Sequence, residues 1–246
     1  MSKDPNIMSF FEHLEELRKR IFRSLLILLV AFLGCWNYHR ELYLFLARPL
    51  TKFMKSGSQL AFTSLTEPFM MYIKLSFLAS LFAASPFLFY QLWRFISPGL
   101  KPREKRWALP FILFGTLFFL AGGFFGYSVV FPLACRFFLQ IGGDFTPVLT
   151  VSQYLSLATK VLLGIALTFE LPVLIFFLAR FGLVTPKFLL RSFRYFVVIA
   201  FVIAALITPT PDMVTQSLVA VPLILLYLLG ILIAWAAGKR PTDKPS

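Results

Sequence analysis

The sequence predicts an all-α membrane protein of six transmembrane helices with both termini on the cytoplasmic side, and three observations carry that prediction. First, 59% of the 246 residues are hydrophobic and the mean hydropathy is +0.80, more apolar surface than a soluble domain of this length can hide. Second, the apolar residues fall into six runs, at about 21–36, 69–93, 109–131, 152–179, 195–208 and 214–235. Third, Lys and Arg gather in alternate connections, seventeen on the side assigned to the cytoplasm against five on the other, the bias that cytoplasmic loops carry. Topology therefore explains most of the net charge of +13, and the absence of a single basic patch or stripe argues against nucleic acid. The chain reads as one membrane domain over 1–246.

Ser9, Phe10, Phe11 and Glu12 spell a capping box, so a helix starts there. Phe10, Leu14, Leu17 and Ile21 recur at helical spacing opposite Glu12, Glu15, Glu16 and Lys19, the pattern of a helix lying along a membrane surface before it turns into the first span. Arg18, Lys19, Arg20 and Arg23 hold this end in the cytoplasm, and the lack of an A-x-A cleavage pattern means the first span is kept. The loop from Tyr38 to Pro68 holds Pro49 and Gly57 and predicts short amphipathic helices outside the membrane. Span two is bent at Pro86, and its Lys74 snorkels to the interface.

Ser97 to Trp107 is a short inner loop in which Lys101, Arg103, Lys105 and Arg106 surround Glu104. Gly122, Gly123 and Gly126 offer close approach to a neighbour of span three, which Pro132 is expected to end. Span four begins near Ser152. The fifth run has only fourteen residues from Tyr195 to Thr208, against about 20 for a full crossing, so the fifth span is short; the fold expected is a bundle with short fifth and sixth spans. Thr208, Pro209, Thr210, Pro211 and Asp212 turn the chain outside, and the tail with Lys239, Arg240 and Lys244 lies inside.

Glu170 is the only ionisable group between Leu162 and Leu178, and Pro172 follows it. A charge at mid-bilayer costs about 2.5 to 3.5 kcal/mol on insertion scales, so such a residue faces protein or water and usually has a task. Ser152, Ser156, Thr159 and Glu170 share one direction, making one face of span four polar down to the acid. Two readings stand beside each other: a functional acid, or a protonated one bonded to a neighbouring helix. Lys160 is some 15 Å away along the axis at 1.5 Å per residue and is not its partner.

The usual enzyme motifs are missing: no P-loop, no HExxH, and no Ser or Cys with a plausible His. Cys35 and Cys135 have no metal or redox spacing, so no cofactor and no metal are expected. At the cytoplasmic face Glu12, Glu15, Glu16 and Glu104 sit among Arg and Lys. Local pairing of Glu15 with Lys19 and Glu16 with Arg20 is the plain reading of each alone; together they suit a guest bearing guanidinium groups.

FFEHLEELRKRIF at Phe10 to Phe22, ASPFLFYQLWRFISPGL at Ala84 to Leu100 with Glu104-Lys105-Arg106 after it, FELPV at Phe169 to Val173 and TPTPDMVTQ at Thr208 to Gln216 resemble the TatC family, multispan receptors of the twin-arginine protein translocase. The resemblance implies a concave, glove-like bundle in the inner membrane of a prokaryote. It implies that Glu16 and Glu104 receive the paired arginines of a signal peptide on folded cargo, with Arg18, Phe95 and Pro49 shaping or supporting the site. It places Glu170 in the groove, and Thr208 and Gln216, beside Asp212, where single-span TatA- and TatB-type partners dock under proton-motive force. Two segments depart from the family pattern: Lys101-Pro102-Arg103 stands where an aromatic and a His are usual, and TPTPD is one residue longer than the common TPPD. The alternative is a proton-coupled small-solute transporter in which Glu170 titrates in each cycle.

Overall fold

The computed structural model describes residues 10–51, 60–100, 102, 104–142, 150–208 and 212–237; Lys101, Arg103 and the turn residues 209–211 lie outside them. Apart from one isolated bridge between Ala61 and Thr150, the regular structure among the described residues is helical.

Helix α1 (Phe10–Trp36) joins the amphipathic stretch and the first apolar run into one uninterrupted rod of 27 residues. The expected turn between them is absent, because no proline interrupts the segment and its only glycine, Gly34, comes near the end. After Asn37 the chain bends by 81° into α2 (His39–Thr51), the short amphipathic helix expected in this loop. The apolar part of α1 covers about 24 Å at 1.5 Å per residue, less than the ~30 Å of hydrocarbon. Among the described residues, five helices are long and apolar enough to cross a bilayer alone, and α1 with α2 makes a sixth when the bent pair counts as one span.

Helix α3 (Glu67–Ile96) returns antiparallel to α1: Trp36 meets Phe69 edge-on at one end, with ring centroids 6.1 Å apart, and His13 stacks on Phe95 at 4.6 Å at the other. Pro86 lies inside α3 without breaking it. A proline there leaves the carbonyl four residues earlier without its amide, and the Ser85 hydroxyl donates to that Phe82 carbonyl at 2.7 Å, the kind of side-chain rescue that lets proline persist in a span.

Two tight turns at Ser97–Gly99 and Lys105–Trp107 lead to α4 (Ala108–Phe125). A wider π-type turn at Gly126–Val130 follows, and α5 (Phe131–Ile141) continues from it. Pro132 thus does not end the third span; it occupies the first turn of α5, where no amide is required of it. The π turn supplies Tyr127, whose hydroxyl donates to the Phe45 carbonyl of α2 at 2.7 Å and whose ring stacks on Phe45.

Helix α6 (Val151–Arg180) is the axis of the bundle, with Ala158, Ile165 and Ala166 fully buried. Helix α4 reaches it through glycine: a Cβ on Gly122 would lie 2.8 Å from the Ala166 Cα and from the Phe169 Cβ, so only hydrogen fits. Helix α7 (Pro186–Ile207) begins nine residues before the fifth apolar run, capped by the Thr185 hydroxyl, which accepts from the Phe188 amide at 3.2 Å. Lys187, Arg191 and Arg194 are therefore helical rather than part of a loop. Helix α8 (Met213–Ala237) closes the fold; at 22 and 25 residues α7 and α8 are shorter than the 30 residues of α3 and of α6.

Candidate functional site

Packing α1 against α3 builds a charged junction at the end of the bundle where α3 gives way to α4. His13, Glu16 and Arg20 are spaced three and four apart, so they share the face of α1 turned to α3. Arg20 donates through Nε to Glu16 Oε1 at 2.7 Å, through Nη2 to the same oxygen, and through Nη1 to Gln91 Oε1 at 3.2 Å. The pair is largely withdrawn from solvent, the two side chains being 9% and 19% exposed. Both Glu16 bonds fall on one oxygen. Oε2 has no partner among the described residues and is not buried, so this carboxylate keeps one free acceptor.

Phe95 completes the junction under His13, and Arg18 lies exposed on the outer face of α1. Glu15 pairs with Lys19 at 2.8 Å on that same exposed side, and the Lys19 ammonium holds the Glu15 carboxyl below the usual carboxylate range. Glu104 stands half-buried in the following turn, where its carbonyl accepts from the Trp107 amide at 3.0 Å. Trp107 is clamped in turn: Phe176 meets it edge-on at 5.8 Å and the Arg180 guanidinium lies 5.1 Å from its ring centre. The Glu104 turn is thereby tied to the end of α6.

Glu170 sits half-buried on α6, and its Oε1 is buried with no hydrogen-bond partner among the described residues. The reading in which a neighbouring helix bonds it finds no such bond. Pro49 is not near Glu16: it is buried towards the end of α2, at the opposite end of the bundle, where the Tyr154 hydroxyl donates to the adjacent Leu46 carbonyl at 2.5 Å. Thr208 and Asp212 serve the α7–α8 turn. The Thr208 hydroxyl donates to the Ala204 carbonyl at 2.9 Å, while Asp212 accepts from the Thr215 amide at 2.8 Å and from the Thr215 hydroxyl, capping α8. Gln216 follows half-buried in the first turn of α8.

Sequence reasoning paired Glu16 with Arg20, as the structure shows, but missed Gln91 and His13 as members of the junction. The i, i+3, i+7 spacing on α1 was a signal for His13 and Arg20, but nothing local pointed to Gln91. Also missed was Glu67, whose carboxylate accepts from the Thr63 amide at 2.8 Å, the Thr63 hydroxyl at 3.1 Å and the Ser152 amide at 2.8 Å, fastening the starts of α3 and α6 together. Among the described residues no three His, Cys, Asp or Glu side chains form a metal-binding group.

Fold and site together define a class: a multispan helical membrane protein with a charged junction at one end and a lone acid within its central span. Comparison with known proteins narrows it. The family model described as Sec-independent protein translocase protein (TatC) matches residues 12–222. The TatC of Koribacter versatilis is 45% identical over 96% of this chain and 89% of its own, and that of Desulforapulum autotrophicum is 41% identical over 98% and 89%. A crystal structure described as the twin arginine translocase receptor TatC superposes with a TM-score of 0.81 at 37% identity, covering 92% of this chain and 99% of that one. The chain belongs to the TatC family of Sec-independent protein translocase proteins, and its role is protein transport at a bacterial membrane.

Proposed function

We propose that this chain is the receptor and scaffold of its translocase, capturing the paired arginines of a signal peptide with Glu16 and Glu104. The observation that carries the reading is the half-used Glu16 carboxylate. Arg20 holds it in one orientation by charge-assisted bonds to Oε1 and leaves Oε2 for an incoming guanidinium. A second, adjacent arginine needs a second acid, and Glu104 lies in the turn that follows the Phe95 end of α3. Arg18 on the rim and Phe95 beneath His13 support the site. The apolar part of the signal then lies along the concave side of the bundle beside Glu170. TatA- and TatB-type single-span subunits dock near Thr208 and Gln216, and proton-motive force drives their assembly. Both termini are cytoplasmic in this arrangement, and the membrane is the inner one.

The test is binding of a labelled Arg-Arg signal peptide to the detergent-purified protein, with a Lys-Lys peptide beside it. Glu104→Gln is expected to weaken the Arg-Arg peptide about tenfold, the ~1.5 kcal/mol of a charge-assisted hydrogen bond, and the Lys-Lys peptide less. Unaltered affinity would sink the proposal. The rival, proton-coupled solute transport through Glu170, requires uptake of a solute by this protein alone in liposomes, and the family of protein translocases speaks against it.

A further inference from the structure

Lys74 and Lys160 lie well inside apolar runs, five and eight residues from the nearer end, unlike the basic residues that gather at the run ends and in the connections. They line one groove of about 290 Å³ between α3 and α6, together with Ser156, Thr159, Phe77 and Leu163. Neither ammonium has an ion-pair partner among the described residues. Glu67, seven residues before Lys74, is fully occupied by Thr63 and Ser152, and Glu170 is ten residues beyond Lys160. Two like charges therefore converge on a mostly apolar trench without a counter-ion.

Depth decides what the counter-ion is. The Glu67 carboxylate on the Ser152 amide sets the starts of α3 and α6 level. At 1.5 Å per residue a 30-residue helix is about 45 Å long, some 15 Å more than the hydrocarbon, so about 7 Å projects at each end. Lys74 is about 10 Å from the start of α3 and Lys160 about 13 Å from the start of α6, a few ångströms inside the hydrocarbon edge. Helical side chains lean towards the helix N-terminus, so both stems carry their ammonium groups back to the headgroup level on the Glu67 side. Ser156 and Thr159 on α6 line the same groove, and Phe77 and Leu163 lie further along their helices from the shared starts.

We propose that this groove is a binding site for one anionic phospholipid of the leaflet on the Glu67 side. Its phosphate is held between Lys74 and Lys160, its ester oxygens meet Ser156 and Thr159, and an acyl chain runs over Phe77 and Leu163. A carboxylate on a partner's helix satisfies the same charges, but the position at headgroup level and the exposed ring of Phe77 on the apolar side of the groove favour lipid.

The test is native mass spectrometry of the purified protein titrated with phosphatidylglycerol or phosphatidylcholine. The wild type is expected to retain one phosphatidylglycerol in preference to phosphatidylcholine. Lys74→Gln and Lys160→Gln are each expected to weaken it about fivefold, the ~1 kcal/mol a basic residue contributes near anionic lipid. The double variant Lys187→Gln with Arg191→Gln, which removes twice the charge of either single variant but from α7, is expected to leave binding unchanged. Equal loss in that control, or no preference for phosphatidylglycerol in the wild type, overturns the site. Replacing Phe77 with a photoreactive benzoylphenylalanine in native membranes is expected to yield a phospholipid adduct; an adduct with a second protein chain in its place also overturns it.

Discussion

The Glu16–Arg20–Gln91 junction makes a quantitative prediction for Glu16→Gln. The substitution keeps the shape of the side chain and removes its charge, leaving the Arg20 guanidinium 9% exposed with only the Gln91 oxygen at 3.2 Å and a neutral amide oxygen for company. Stranding one member of a fully buried pair costs about 3 to 5 kcal/mol. Here Glu16 is one-fifth exposed and water reaches its free oxygen, so a discounted cost of about 2 kcal/mol applies, a change of about thirtyfold in the folding equilibrium. For a chain of this length that lowers the melting temperature by about 4 to 8 °C, measured by thermal unfolding in detergent. Replacing both ions, with Glu16→Gln and Arg20→Met, is expected to recover at least half of the loss, because no buried charge is then left alone. A single variant that melts with the wild type, or a double variant whose loss equals the sum of the two singles, would refute the coupling.

Gly122→Val is expected to destabilise by about 1 to 3 kcal/mol, since its branches meet the Ala166 backbone; Gly34→Ala, with nothing within 4 Å, is expected to be neutral or stabilising in the same melt. Asp212→Ala removes the cap of α8 and is expected to cost about 1 kcal/mol, seen as a fall of about 2 to 4 °C in melting temperature. Tyr154→Phe removes the donor to the buried Leu46 carbonyl; a loss of about 1 kcal/mol and faster hydrogen exchange in α2 are expected, and unchanged exchange there would show that this bond does not hold α2.

Much of the architecture was legible because a bilayer leaves few choices. Backbone groups in hydrocarbon must bond within their own helix, so apolar runs bounded by charge had to be helices, and the glycines of α4 announced the close contact with α6 that Gly122 and Ala166 make. Boundaries were less legible, and proline shows why. Pro132 stood where a helix seemed to stop, yet a five-residue π turn brings it into the first turn of α5. Pro86 was expected to bend α3; the helix runs through it without a break, and the carbonyl it frees is taken by the neighbouring Ser85. In both cases the helix continues because the backbone around the proline is accommodated locally, by a wider turn in one and by a hydroxyl in the other.

The candidate site divides in the same way. Sequence alone determined that the chain lives in a membrane, that acids stand among basic residues at one end, that Glu170 is isolated in an apolar span, and which family the motifs resemble. Those are properties of composition and spacing along one helix. Only the tertiary structure decided that Gln91, seventy-one residues from Arg20, completes the charged junction, that Pro49 lies at the other end of the bundle, and that Lys74 and Lys160 share one groove. Each of these is a meeting of two helices, and the register at which α1, α3 and α6 pass one another is set by their packing, of which neither sequence segment carries a record by itself.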